Sequence, residues 1–258
     1  MSRFSFFALL LSAIAAVIGP GPVRADDWGN LKGKFVYDGA APAPTPITVD
    51  KDQAVCGDKG LVAEDLVVDP NGGLANVMIY VKGKVNIHPD YEKSADATIV
   101  LDNHGCRFEP HVQGVRVGQT LELKNSDPVA HNTNVVGRNL QINPLIAAGQ
   151  TSDQKIEAPE ALPAMVSCNI HPWMKARLLV RSSPYFAVSK KDGTFEIKNL
   201  PAGDLEFIVY QERSGYVQDA VLKGQQVKWP KGVLKVAIEA GKDTDLGDIK
   251  LPADQFNK

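Results

Sequence analysis

Short runs of alternating apolar and polar residues recur along the chain, each closed by Gly, Pro, Asn or Asp, and very little of it carries a helical period. Such alternation places one face of each run on a core and the other in water, and it predicts β-strands. The first is Leu31–Tyr37, closed by Asp38-Gly39. Leu66–Asp69 and Ala75–Val81 follow, with Pro70-Asn71-Gly72-Gly73 turning between them. Strands are then predicted at Thr98–Leu101, at Val115–Leu123 as two strands bent at Gly118, at Ala164–Ser167 and at Lys175–Arg181. A last group comprises Tyr185–Val188, Thr194–Lys198, Asp204–Tyr210, Val227–Trp229, Val233–Ile238 and Asp245–Ile249. Ala40–Pro46 has too few backbone donors for a sheet interior and reads as extended surface chain. Leu140–Ala161 is polar and reads as loop with one short strand. The whole pattern is that of an all-β sandwich or barrel.

The first residues stand apart from this pattern. Arg3 precedes a nearly continuous apolar run from Phe4 to Ile18, and Val23-Arg24-Ala25 supplies small residues at cleavage positions. Residues 1–25 therefore read as a secretory signal peptide, which predicts a periplasmic or secreted protein. The alternative is an uncleaved N-terminal anchor. No later apolar stretch approaches spanning length, so no membrane span is expected in the mature chain. The formal charge is −2 with no basic tract, which leaves nucleic-acid binding without an electrostatic footprint.

Cys168-Asn169-Ile170-His171-Pro172-Trp173-Met174 concentrates a thiol, an imidazole and a thioether in seven residues. Sulfur and imidazole three residues apart can meet one metal ion from a single tight loop. Soft sulfur with imidazole suits copper, and two His, one Cys and a weak axial Met form the ligand set of blue-copper electron-transfer sites. One more imidazole is then required from elsewhere in the chain. The chain has three cysteines, an odd number. If Cys168 holds metal in an oxidising compartment, Cys56 and Cys106 are left to form a disulfide. The alternative is three free, buried thiols.

The middle of the chain resembles the cupredoxins. Phe108-x-Pro110, Val115-Arg-Val-Gly118-x-Thr-Leu-x-Leu123, Asn125-Ser-Asp127 and His131-Asn132 are similar to that family's approach to its first copper histidine, and Cys168-x-x-His171-x-x-Met174 is similar to its C-terminal ligand loop, most nearly the short-loop amicyanin type. The resemblance covers residues 96–183. It implies one mononuclear type 1 copper held by His131, Cys168, His171 and Met174. It further implies that Asn132 hydrogen-bonds back toward the thiolate loop, and that Pro172 and Trp173 flank an exposed edge of His171 where electrons enter and leave. The long irregular segment between His131 and Cys168 departs from the family pattern.

Asp192-Gly-Thr-Phe-Glu-Ile-Lys-Asn-Leu-Pro-Ala-Gly203 resembles the hallmark hairpin of the carboxypeptidase regulatory-like, transthyretin-like β-sandwich. Candidates for that fold's opening strands, Gly33–Val36 and Gly73–Ile79, precede the cupredoxin-like stretch. The predicted architecture is thus a cupredoxin-like Greek-key sandwich, residues 96–183, inserted in or packed beside a discontinuous Ig- or transthyretin-like sandwich, residues 26–95 and 184–258. Three consecutive small units, or one merged sandwich, are the alternatives.

His88 and His104 sit in turns and read as solvated. His111, next to the Phe108-x-Pro110 stretch, reads as an outer partner or extra ligand of the metal, or else as a plain buried histidine. Met165, on the strand entering Cys168, reads as core. His-x-His pairs of the multicopper oxidase kind are missing from the sequence, as is a nucleophile-elbow motif, so a binding or carrier role is expected rather than catalysis. The leading expectation is one-electron transfer to a redox partner protein. The alternatives are copper storage or delivery, and a metal-free envelope interaction module.

Overall fold

The structure is a computed structural model and describes residues 28–257. The predicted signal segment, residues 1–25, lies outside the described residues. The chain is all-β, and its strands sort into two sets by pairing.

The first set comes from both ends of the described chain. Thr194–Pro201, Trp28–Asp38, Asp243–Pro252, Asp219–Leu222 and Gln225–Lys228 form one sheet in that order. Phe186–Val188, Met78–Val81, Gly203–Gln211 and Gly215–Tyr216 form a second, to which Val233–Ile238 adds by pairing with Gly203–Gln211. Inward residues of both sheets share one apolar core, with Leu31, Phe35, Ile79, Phe207, Val209 and Ile249 fully buried. Phe35 stacks on Phe195 with ring centroids 4.9 Å apart. Gly73 is fixed by a close approach, since a Cβ there would stand 2.2 Å from the Asp192 carbonyl oxygen.

The second set runs without interruption from Thr98 to Arg181. Thr151–Lys155, Thr120–Asn125, Thr98–Asn103 and Phe108–Glu109 make one sheet, and Val112–Arg116, Lys175–Arg181, Ala164–Ser167, Asn134–Val136 and Gln141–Ile142 the other. His131–Asn132 pairs separately with Leu145–Ile146. Their core is built by Leu101, Phe108, Leu121, Leu123, Val166, Leu178 and their neighbours, and it reaches Cys168 and Met174. No ladder joins the two sets among the described residues.

Side chains join them instead. Met78, Tyr80 and Ile208 of the first set pack with Val112 and Leu179 of the second. The Arg181 guanidinium lies 4.3 Å over the Tyr80 ring. Gly114 meets the Phe186 ring so closely that a Cβ would come within 2.3 Å of it.

Several elements differ from the sequence expectation. Leu66–Asp69 is not a strand; it contributes only the single bridge Val68↔Leu74. Phe108–Glu109 is a short strand that the sequence pattern did not single out; it stops at Pro110, where the Glu109-Pro110 bond is cis, and pairing resumes at Val112–Arg116. The polar stretch after Leu140 holds three short strands, not one. Among the described residues no helix is long and apolar enough to cross a membrane.

Candidate metal centre

His131, Cys168 and His171 converge at one end of the second set of strands, and all three are buried. His131 is placed by the short ladder with Ile146. Cys168 directly follows the strand Ala164–Ser167, and a tight turn carries the chain through His171 to Lys175. Within that turn the Cys168 N–H donates to the Met174 carbonyl (3.2 Å) and the Met174 N–H to the His171 carbonyl (2.9 Å). These bonds fold the Cys-x-x-His-x-x-Met motif back on itself, so Cys168 Sγ and His171 Nδ1 come within 3.8 Å of each other.

Cys168 Sγ lies 4.0 Å from His131 Nδ1 and 3.8 Å from His171 Nδ1. The two Nδ1 atoms are 2.9 Å apart. Each ring has its other nitrogen against a carboxylate: His131 Nε2 donates to Asp127 Oδ2 (3.0 Å) and His171 Nε2 to Asp52 Oδ2 (2.7 Å). A carboxylate only accepts, so both Nε2 atoms carry hydrogen and both Nδ1 lone pairs turn inward. Two lone pairs and a sulfur facing one another at these distances repel unless a proton or cation lies among them. Metal–nitrogen and metal–sulfur bonds of about 2.0 and about 2.3 Å span the observed sulfur–nitrogen separations. The residues present therefore fit a single soft or borderline metal ion.

Charge is already arranged for it. Burial pushes the Cys168 thiol up, but the His131 ring and the backbone donors of His171 and Asn132 outweigh it and bring the thiol down to about 6. Burial pushes His131 down, but Asp127 and the Cys168 sulfur raise it to about 9. Part of each shift is mutual, since the His131 ring and the Cys168 sulfur each favour the charged form of the other. The Asp127 carboxyl is held low against its burial by His131 and by the backbone N–H groups of Cys106 and Gly105.

Asn132 clasps the loop. Its Oδ1 accepts from the N–H groups of Asn169 (2.7 Å) and Ile170 (3.3 Å) and lies 3.3 Å from Cys168 Sγ. Met174 is fully buried in the same apolar cluster as Cys168. Met165, expected in the core, instead points outward and is exposed, because the strand Ala164–Ser167 alternates and Met165 falls on its outer face.

The edge of His171 is not exposed as the family resemblance implied: the residue has 0% exposure, with Asp52 against Nε2 and the Trp173 ring 5.1 Å away. Pro172 is exposed and Trp173 half-buried. The Trp173 indole N–H donates to the Cys106 carbonyl (3.1 Å), and the ring lines a cavity of about 710 Å³ shared with Met174, Met165, His111 and Glu212. Cys56 and Cys106 are bonded to each other, leaving Cys168 as the free thiol among the described residues.

His111 is not brought to the metal group. Its Nε2 bonds Glu212 Oε2 at 2.6 Å, and Arg177 lies 3.1 Å from the other oxygen of Glu212. The trio links the two sets of strands. Burial pushes the Glu212 carboxyl up, but His111 and Arg177 hold it below the usual carboxylate range. A carboxyl lowered in the folded state adds stability that is complete above its unfolded value and vanishes as pH falls through the folded one. Glu212→Gln is accordingly expected to lose about 3 kcal/mol at pH 7, as for other broken buried pairs. It should also lose less than the parent between about pH 5 and about pH 3. Urea unfolding at the two pH values checks this; equal pH slopes would overturn it.

Sequence reading missed Asp52 and Asp127. Asp127 lies four residues before His131 in Asn125-Ser-Asp127, a pattern already on the page. For Asp52, 119 residues from its partner, the only signal was its place four residues before Cys56.

No protein-family model matches the chain, and no curated protein does. Among solved structures it is similar to a methionine-to-alanine variant of amicyanin in its Cu(I) form, at 22% identity over 32% of this chain and 81% of that one (TM-score 0.30). It is also similar to a purple cupredoxin from Nitrosopumilus maritimus, at 24% over 33% and 99% (TM-score 0.28). A third is a copper-containing nitrite reductase from Thermus scotoductus SA-01, at 23% over 32% and 22% (TM-score 0.29). These likenesses are distant and local, and the chemistry of the centre rests on its own residues.

Proposed function

We propose that this is an exported mononuclear copper protein that carries one electron through a type 1 site. The observation that carries the reading is the convergence of His131 Nδ1, His171 Nδ1 and Cys168 Sγ in a buried pocket, with each Nε2 held by a carboxylate. A bound copper would supply the one-electron couple. His131, Cys168 and His171 would hold the ion as the strong donors, with the Met174 thioether as a weaker sulfur donor. Asn132 holds the Cys168 loop in one geometry for both oxidation states, and the apolar cluster around Cys168 and Met174 excludes water.

On this reading residues 96–183 form the copper-binding unit, inserted into a host sandwich made of residues 26–95 and 184–258. The separate pairing of the two strand sets supports the division. A redox partner protein would dock over Pro172 and Trp173. Export to the periplasm or outside the cell accords with the Cys56–Cys106 bond.

Copper storage or delivery is the second reading; it calls for a more open site than this one, but the covered edge of His171 removes the electron exit that the carrier reading expects. The spectrum of the purified protein with Cu(II) separates the two. Electron carriage predicts an intense visible band from thiolate-to-copper charge transfer. A colourless protein that binds only Cu(I) supports storage or delivery, and one that takes up no copper supports a metal-free envelope module.

A further inference from the structure

The segment 45–63 contributes no strand to the sheets that hold the metal centre, yet it delivers a side chain to it. Its base is closed by Ile47 N–H to Leu61 O (2.9 Å), Ala63 N–H to Thr45 O (2.9 Å) and the bridge Pro46↔Val62. Its middle is a single helical turn, Gln53–Cys56, whose last residue is bonded to Cys106. Asp52 precedes that turn in a left-handed backbone conformation (φ 45°) that few residues with a Cβ adopt but Asp tolerates. Its carbonyl accepts from the N–H groups of Val55 (2.8 Å) and Cys56 (2.9 Å), which leaves its side chain free to reach His171. Strained backbone of this kind gathers where a side chain must be aimed.

We propose that Asp52 is a positioning residue for His171: it accepts the hydrogen bond of the Nε2–H, fixes Nδ1 as the atom facing the metal, and closes the imidazole edge against water. The proposal rests on the reading of His131, Cys168 and His171 as a metal centre. A carboxylate on the outer nitrogen of a ligating histidine fixes its tautomer and ring orientation and raises its donor strength. Asp127 stands in the same relation to His131, so the centre has a carboxylate behind each imidazole. The two are supported from one place. Cys106 donates its N–H to Asp127 and its sulfur to the bond that anchors the Asp52 turn. Asp52 is 43% exposed, and an exposed carboxylate bonds weakly unless its carrier is held. The disulfide and the closed base of the segment hold it.

The test compares the full chain with Asp52→Ala and Asp52→Asn. Cu(I) is partitioned against a chelator of known affinity, and the histidine rings are read by ¹⁵N spectra of the Cu(I)-loaded, diamagnetic protein. Asp52→Ala is expected to weaken Cu(I) binding by about 10–100-fold, the usual effect of removing such an outer partner. It should also lose the slowly exchanging Nε2–H of His171, while that of His131 persists. Asp52→Asn keeps an accepting oxygen and should recover most of both. The substitution is at a surface turn, and a thermal melt confirms that the variants fold. Equal affinity and an unchanged His171 Nε2–H in Asp52→Ala would overturn the proposal while leaving the metal centre intact. A parent protein that takes up no Cu(I) would overturn the centre itself and the proposal with it.

Discussion

Replacing Cys168 with serine is expected to abolish the visible colour of the copper-loaded protein and to weaken its hold on the ion by more than about 100-fold, beyond the usual loss for an outer partner. A thiolate is both the strongest donor here and the source of the charge-transfer band; a serine hydroxyl stays protonated near neutral pH and supplies neither. The site makes the thiolate readily available, since its neighbours bring the thiol down to about 6. The fold should survive the change. Oγ replaces Sγ in a buried pocket, and Asn132 Oδ1, 3.3 Å from the sulfur in the parent, is placed to accept from the hydroxyl. Absorption spectra and metal analysis of the variant and the parent, with thermal melts to confirm folding, check this. A variant that keeps the band would remove Cys168 from the centre and leave the copper reading without its main support.

The same variant carries a second consequence in the metal-free state. The proton on His131 is held by Asp127 and by the Cys168 sulfur, with the ring raised to about 9. Serine removes the sulfur contribution and leaves Asp127, so the His131 ring should titrate lower in the metal-free variant than in the metal-free parent. The direction distinguishes loss of a charged partner from a general loosening of the pocket, which would move Asp127 as well.

What the sequence made legible divides along locality. The Cys168–Met174 loop stood out because a thiol, an imidazole and a thioether lie within seven residues, and the structure brings Cys168 and His171 of that loop together with His131. Asn132 was placed through the family resemblance, and its contact with the loop is present. The strand Thr151–Lys155 could not be located within Leu140–Ala161 because it packs no large apolar side chain: it is an edge strand paired to Thr120–Asn125, and hydrophobic alternation cannot report an edge that buries little. Leu66–Asp69 misled in the opposite way, being apolar enough for a strand while it makes only the bridge Val68↔Leu74 and the Asp69 carboxylate accepts from the N–H groups of Asn71 and Gly73 in the turn that follows. His111 has a sequence neighbourhood that suits a metal partner, but Glu212, 101 residues away, claims it. The covering of His171 depends on Asp52, and nothing in a one-dimensional pattern joins those two residues.

The Cys56–Cys106 bond is the place where these distant pieces meet, and removing it is expected to be the largest perturbation of stability. It closes a loop with a sequence separation of 50 residues, for which the chain-entropy account gives about 4 kcal/mol at 25 °C. Both cysteines are fully buried, so Cys56→Ser with Cys106→Ser also takes two hydroxyls out of water. Urea unfolding should therefore show a loss of about 4 kcal/mol or slightly more, with the slope raised if the unfolded chain expands once the link is gone. An unchanged midpoint would mean that the bond constrains neither state. His131, Cys168, His171 and Met174 all lie outside the segment that the bond holds. The double variant should for that reason keep a visible band with copper while behaving, in Cu(I) affinity and in the exchange of the His171 Nε2–H, like Asp52→Ala. Coincidence of those two variants would identify the disulfide as the support of Asp52, whereas loss of the band would mean that the bond shapes the ligand loop itself, through the Trp173 indole that rests on the Cys106 carbonyl.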